Sequence, residues 1–172
     1  LVTNDVLSLR GGDGQYACAL TAKGRIIADV RILAIGPEDA DGPALLVDTN
    51  AAAATGFAGM IRKYVNPRLA QYVNVSDTTC CLTLVGSEVP NLLVAMGVPP
   101  LIVEALRSGS AFTHRSASVG ATPVRIVRVP DLGTANTYDI HLERSARDTL
   151  RDHCAVLGAE VQSDLHEWHR RR

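Results

Sequence analysis

The run IIADVRILAI at residues 26–35 constrains the fold more than any other stretch. A strand shows alternate side chains to opposite faces. One face carries Ile26, Ala28, Val30, Ile32 and Ala34, all apolar, and the other carries Ile27, Asp29, Arg31, Leu33 and Ile35. The first face must be covered by another layer of structure. The second mixes two charges with large aliphatics, so it is half-buried, and a charge taken out of water is costly unless it is paired or shifts its pKa. Either Arg31 neutralises Asp29, or Asp29 is kept for a ligand; the i, i+2 spacing leaves both readings open. The preceding run GQYACAL at residues 14–20 is the antiparallel partner, with Thr21, Ala22, Lys23 and Gly24 supplying the turn.

Beyond this hairpin lies an acidic loop at residues 38–42 and a third strand over residues 44–49, which ends at Asn50, placed to cap a helix. That helix, residues 51–64, carries Phe57, Met60, Ile61 and Tyr64 in an i, i+3, i+4, i+7 stripe, and Pro67 stops it. Strands are expected at residues 71–75 and 79–85, the second apolar enough to read as a central strand. A short helical piece spans residues 89–96, and Gly97-Val98-Pro99-Pro100 is the expected seam. Then come a helix at residues 101–107 and strands near 111–116, 123–129 and 137–142. The last helix, residues 145–157, is opened by a Ser145-x-x-Asp148 box and closed by Gly158, with Ala146, Leu150, Cys154 and Leu157 as its inner stripe. This order predicts an α+β protein of two related, ferredoxin-like halves, residues 1–97 and 98–172, with mostly antiparallel sheets covered on one side.

Lys and Arg number 17 against 18 Asp and Glu, so no basic field points to a nucleic-acid partner. No apolar run approaches the ~20 residues of a membrane span, and no signal-peptide pattern opens the chain. The four cysteines, Cys18, Cys80, Cys81 and Cys154, lack CxxC spacing and sit in apolar runs, which predicts reduced thiols in the cytoplasm and no metal site. The chain starts without Met and stops within a pattern, which reads as a fragment.

Three residues are candidates for chemistry. Asp29 is a fixed negative charge able to hold a nitrogenous ligand. In Tyr138-Asp139-Ile140-His141-Leu142 alternation sends Asp139 and His141 to the face opposite Tyr138, Ile140 and Leu142. That face is ordinarily solvated, yet a carboxylate on a rigid strand can also accept two parallel N–H bonds from an amidine-like ring edge. Asn50 stands at a strand-to-helix junction, where free backbone N–H groups gather. The tail His166-Glu167-Trp168-His169-Arg170 does not have the HExxH spacing and reads as a solvated helix start. No P-loop, GxGxxG or GxSxG occurs, and His114, His141 and His153 are scattered.

The runs LVTNDV at residues 1–6, GQYACALTAKGRIIAD at 14–29 and LLVDTN at 45–50, with the strands at 77–86 and 138–142, resemble the folate-binding fold of the glycine cleavage T-protein (aminomethyltransferase) and of YgfZ-type folate-binding proteins. The resemblance implies tetrahydrofolate binding by an α+β fold of the aminomethyltransferase type. It implies a role in one-carbon transfer or in iron-sulfur protein maintenance, with a small one-carbon donor or a carrier protein as partner. It places Asp29 near the folate nitrogens in a catalytic role, Asp139 on the pterin ring and Asn50 in the pocket. T-proteins carry an Arg-x-Gly-x-Thr-Gly-Glu loop before the pterin-binding strand, whereas residues 128–137 here read RVPDLGTANT. That departure keeps open the alternative of a non-catalytic scaffold or assembly factor with a degraded folate pocket.

Overall fold

The computed structural model describes residues 2–36, 44–133 and 135–160. The acidic loop at residues 38–42 and the histidine-bearing tail at 166–170 lie outside the described residues. The protein is α+β, with two antiparallel sheets. Strands β1 (Gly14–Leu20), β2 (Ile26–Ile35) and β3 (Ala44–Thr49) form the first, in the order β1-β2-β3. Strands β4 (Thr79–Val85), β5 (His114–Val119), β6 (Thr122–Leu132) and β7 (Ala135–Glu143) form the second, in the order β4-β7-β6-β5.

The β1–β2 hairpin closes as its sequence predicts. The Thr21 amide donates to the Arg25 carbonyl at 2.8 Å, and Gly24 adopts a φ of 75°, a conformation that favours glycine. Helix α1 (Ala51–Tyr64) begins at the expected cap, where Asn50 Oδ1 accepts the Ala52 amide at 2.9 Å. It lays Phe57 and Met60 on the apolar face of the first sheet, against Ala17, Ala28, Val30 and Ile32. Tyr64, in the last turn of the stripe, stays exposed.

Three helices, α2 (Val89–Ala95), α3 (Pro100–Ser108) and α4 (Arg147–Val156), cover one face of the second sheet. Leu93, Met96, Leu106 and Leu150 meet Ile126, Tyr138, Ile140 and Leu142 there in the larger core. Full burial of an aliphatic side chain of this size contributes about 1.5–3 kcal/mol.

Several elements differ from the sequence reading. Residues 71–75 form no strand, because one asparagine upstream of the segment and one within it turn the backbone on themselves. Asn66 Oδ1 accepts the Arg68 amide at 2.9 Å and Asn74 Oδ1 the Ser76 amide at 3.0 Å. The apolar strand β4 is an edge of its sheet, not a centre; its hydrophobicity reflects Cys80, Leu82 and Leu84 packing under the helices. Strand β5 starts at His114 because Phe112, at φ 69°, turns the chain just before it. A 3-10 turn at Arg144–Ala146 opens α4, and the Ser145 hydroxyl reaches Glu143 Oε2 at 3.3 Å in place of capping. The expected seam at residue 97 falls between α2 and α3, while β4, earlier in the chain, is a strand of the second sheet.

The uncovered faces of the two sheets meet each other. A small apolar contact joins Leu33 to Val127 and Val129, with Leu46 and Phe112 at its margin. At one end the Gly12 carbonyl accepts from the His114 amide at 2.9 Å and from Arg115 Nη1 at 3.1 Å. Beside the apolar contact lies a group of polar side chains.

Candidate functional site

Alternation on β2 aims Arg31 at the second sheet, on the same face as Leu33. Its guanidinium spans two carboxylates, with Nη1 donating to Asp139 Oδ2 and Nη2 to Asp48 Oδ2. Asp48 is the direct partner of Arg31 in the β2–β3 register. Asp139 comes from the middle strand pair of the second sheet, opposite Thr83, whose hydroxyl donates to Asp139 Oδ1 at 2.7 Å. Both oxygens of Asp139 are therefore engaged, and the residue is 5% exposed. A solvated face, the ordinary expectation for an alternating charged residue, is not what β7 shows at this position.

His141 follows two residues along the same face, with Nε2 3.9 Å from Asp48 Oδ2. Cys81 stands opposite His141 in the β4–β7 register. The cluster thus comprises Arg31, Asp48, Cys81, Thr83, Asp139 and His141, all on strands. Positions on paired strands are set by backbone hydrogen bonds, so the donors and acceptors are held in place before any ligand arrives.

The electrostatics follow from that packing. Burial opposes the charge on Arg31, but the hydrogen bond and charge of Asp139, then those of Asp48, raise its pKa above the ordinary value. For His141 burial dominates and lowers the pKa; Asp48 pulls the other way and Arg31 adds to the lowering, leaving a neutral imidazole at neutral pH. Part of Cys81 reaches solvent, yet desolvation of its thiol and the neighbouring Asp139 push its pKa up to about 12, against a smaller lowering by Arg31. The thiol is therefore protonated and unreactive as it stands.

Of the three residues singled out in the sequence, Asp139 lies at the heart of the cluster. Asp29 sits two residues from Arg31 on β2, exposed and opposite Cys18, and the guanidinium that one of its two readings gave it as partner goes to Asp48 and Asp139. Its neighbour Tyr16 has a raised phenol pKa, from desolvation first and then from the charge of Asp29. Asn50 commits its Oδ1 to the α1 cap. His141 shares the Asp139 face as alternation predicts, whereas Asp48, Thr83 and Cys81 were not foreseen beside them, since register between distant strands is what joins them. One signal for Asp48 was present: it is the single charge in the run ALLVDT of β3.

A shallow, open groove of about 610 Å³ runs between Gly97, Pro99 and Ile102 on one side and Ser116 and Ser118 on the other. None of Asp29, Asn50 or Asp139 lines it. It is chemically plain, with neither a charged nor an imidazole side chain on its walls, so the polar cluster remains the better candidate site.

Neither the protein-family models nor the curated proteins give a match to this chain.

Proposed function

We propose that the protein binds tetrahydrofolate in the manner of the T-protein and YgfZ-type proteins that its sequence resembles. The observation that carries the proposal is Asp139: a carboxylate fixed on a strand, nearly buried, that already accepts from the N–H edge of a planar guanidinium. The amino-pyrimidinone edge of a pterin presents the same kind of donors, so Arg31 occupies the position such a ring would take. A ligand entering there would displace one arm of Arg31 while Asp48 retains the other. Asp29, exposed on the same face of β2, would lie toward the reacting nitrogens and stabilise positive charge developing on them. The one-carbon donor or carrier protein, a role in iron-sulfur protein maintenance and a cytoplasmic setting belong to the same proposal. Among the described residues no helix is long and apolar enough to cross a membrane.

Tetrahydrofolate at a hundredfold excess over its dissociation constant would stabilise the folded chain by about 2.7 kcal/mol, seen as a raised melting temperature. Asp139→Asn should abolish that shift, while Asp29→Asn should keep it and remove any one-carbon transfer. Absence of a shift in the wild-type chain at saturating folate counts against the proposal.

A second reading has its own support. With Arg31 and Thr83 on its two oxygens, Asp139 is satisfied without a ligand, and the loop at residues 128–137 lacks the T-protein motif. A scaffold with a closed pocket would show no folate shift in either the wild type or Arg31→Met. A ligand site guarded by Arg31 would bind more tightly in Arg31→Met.

A further inference from the structure

The same face of the second sheet holds a donor set that shares Asp139 with the proposed folate site and adds Cys81 and His141, which that proposal does not use. Cys81 and His141 are cross-strand partners, and Asp139 is two residues from His141 on β7. One ligand atom from each of the three, a sulfur, an imidazole nitrogen and a carboxylate oxygen, lies within 4.8 Å of the others. We propose that Cys81, His141 and Asp139 form a three-ligand site for a divalent cation of the zinc class, with a fourth position left open.

The donor chemistry sets the class of ion. Sulfur and imidazole together favour zinc and its cobalt surrogate over magnesium or calcium, which take oxygen ligands. Bond lengths of about 2.0–2.3 Å place tetrahedral ligand atoms roughly 3.3–3.8 Å apart, so side-chain rotation of about 1 Å closes the set without moving the strands. The neighbours of Asp139 then acquire a role. Thr83 and Arg31 each use one lone pair of a different oxygen, leaving others free, and they orient the carboxylate as outer-shell partners orient metal ligands.

Charge balance agrees with this assignment. With the Cys81 proton displaced, Asp48, Asp139 and the thiolate carry three negative charges and Arg31 one positive, a net of two that a divalent ion cancels. Cys81 reaches solvent, which gives the ion a route in, while the adjacent Cys80 turns to the helix-covered core and supplies no second sulfur. Spacing rules for zinc ligands could not find such a site, because its ligands are neighbours across a sheet and not along the chain.

The test is a Co²⁺ titration of the full chain, reduced, stripped of metal with a chelator and free of folate. One equivalent should produce a near-ultraviolet thiolate-to-cobalt band with visible tetrahedral bands, and Zn²⁺ should bleach both. Cys81→Ser should remove the near-ultraviolet band, and His141→Gln should weaken binding at least about tenfold. Cys80→Ser and the paired change His166→Ala, His169→Ala should leave the spectrum intact. Far-UV circular dichroism of each metal-free variant checks the fold, with Cys81→Ala replacing Cys81→Ser should the latter unfold. No thiolate band in the wild type overturns the proposal, as does a band that survives loss of Cys81 or vanishes with the tail histidines. Folate titrations of the same metal-free protein report on the folate proposal separately.

Discussion

The two faces of β7 put the same backbone to opposite uses. One face sends Tyr138, Ile140 and Leu142 into a core sealed by three helices, where shape and apolar area decide stability. The other sends Asp139 and His141 toward the first sheet, where contact is made by a few aliphatics and a charge cluster. The difference teaches that the helix-covered face holds the second sheet together, while the polar face joins the two sheets and leaves chemistry available. Ion pairs suit the second task, because removing one partner is felt at once but replacing both by apolar groups costs little.

Four measurements would break or sharpen this contrast. Ile140→Ala, at a fully buried position, should lower unfolding free energy by about 4 kcal/mol in urea titrations, and a loss below about 1 kcal/mol would mean the core can collapse around it. On the inter-sheet side the largest effect should come from pH. His114, 1% exposed, has its pKa lowered from 6.5 to about 4 by burial, then by Arg125 and to a smaller extent Arg115, with the carbonyls of Ala34 and Asp13 acting the other way. Between these values the unfolded state holds more protons, so stability is complete above about pH 6.5 and declines as pH falls toward about 4. The total is about 3 kcal/mol for this group. Urea titrations of His114→Gln across that range should lack this part of the slope; an unchanged slope assigns it to other groups.

Asp139→Asn comes next, at about 2 kcal/mol, since Arg31 keeps Asp48 but loses its more buried partner. The double change Arg31→Met, Asp139→Leu should recover most of that loss. Should the double variant fall further, the pair itself would be contributing to stability beyond its own desolvation. The smallest effect is expected for Asp48→Asn, about 0.5 kcal/mol, because that pair is more open to water.

Much of the fold was legible from period and punctuation. The alternation at residues 26–35 marked β2 and both its faces, Asn50 marked the start of α1, and Tyr138-Asp139-Ile140 marked the two faces of β7. What stayed hidden depends on contacts distant in sequence. Apolar residues placed β4 in the middle of a sheet, yet covering by helices makes an edge strand look the same. Arg31 was weighed against its i−2 neighbour Asp29, while its partners are set by the β2–β3 register and by the meeting of two sheets. Residues 71–75 had strand composition, and side-chain hydrogen bonds from Asn66 and Asn74 overrode it. The site was visible in part, as Asp139 and His141 on one face of β7, and its company of Cys81 and Thr83 appeared only once β4 and β7 were paired.

The link from Arg31 to Asp139 also bears on the order of events in folding. It joins residues 108 positions apart, whereas the β1–β2 hairpin and its helix can assemble from the first 64 residues. A contact of such separation is made late, after the loop-closure entropy of both sheets has been met. During synthesis Arg31 therefore waits with Asp48 as its sole carboxylate partner of the two until β7 has emerged. Weakening the Arg31–Asp139 contact should accelerate unfolding and leave the folding rate nearly untouched, making this single guanidinium a determinant of how long the two sheets stay joined.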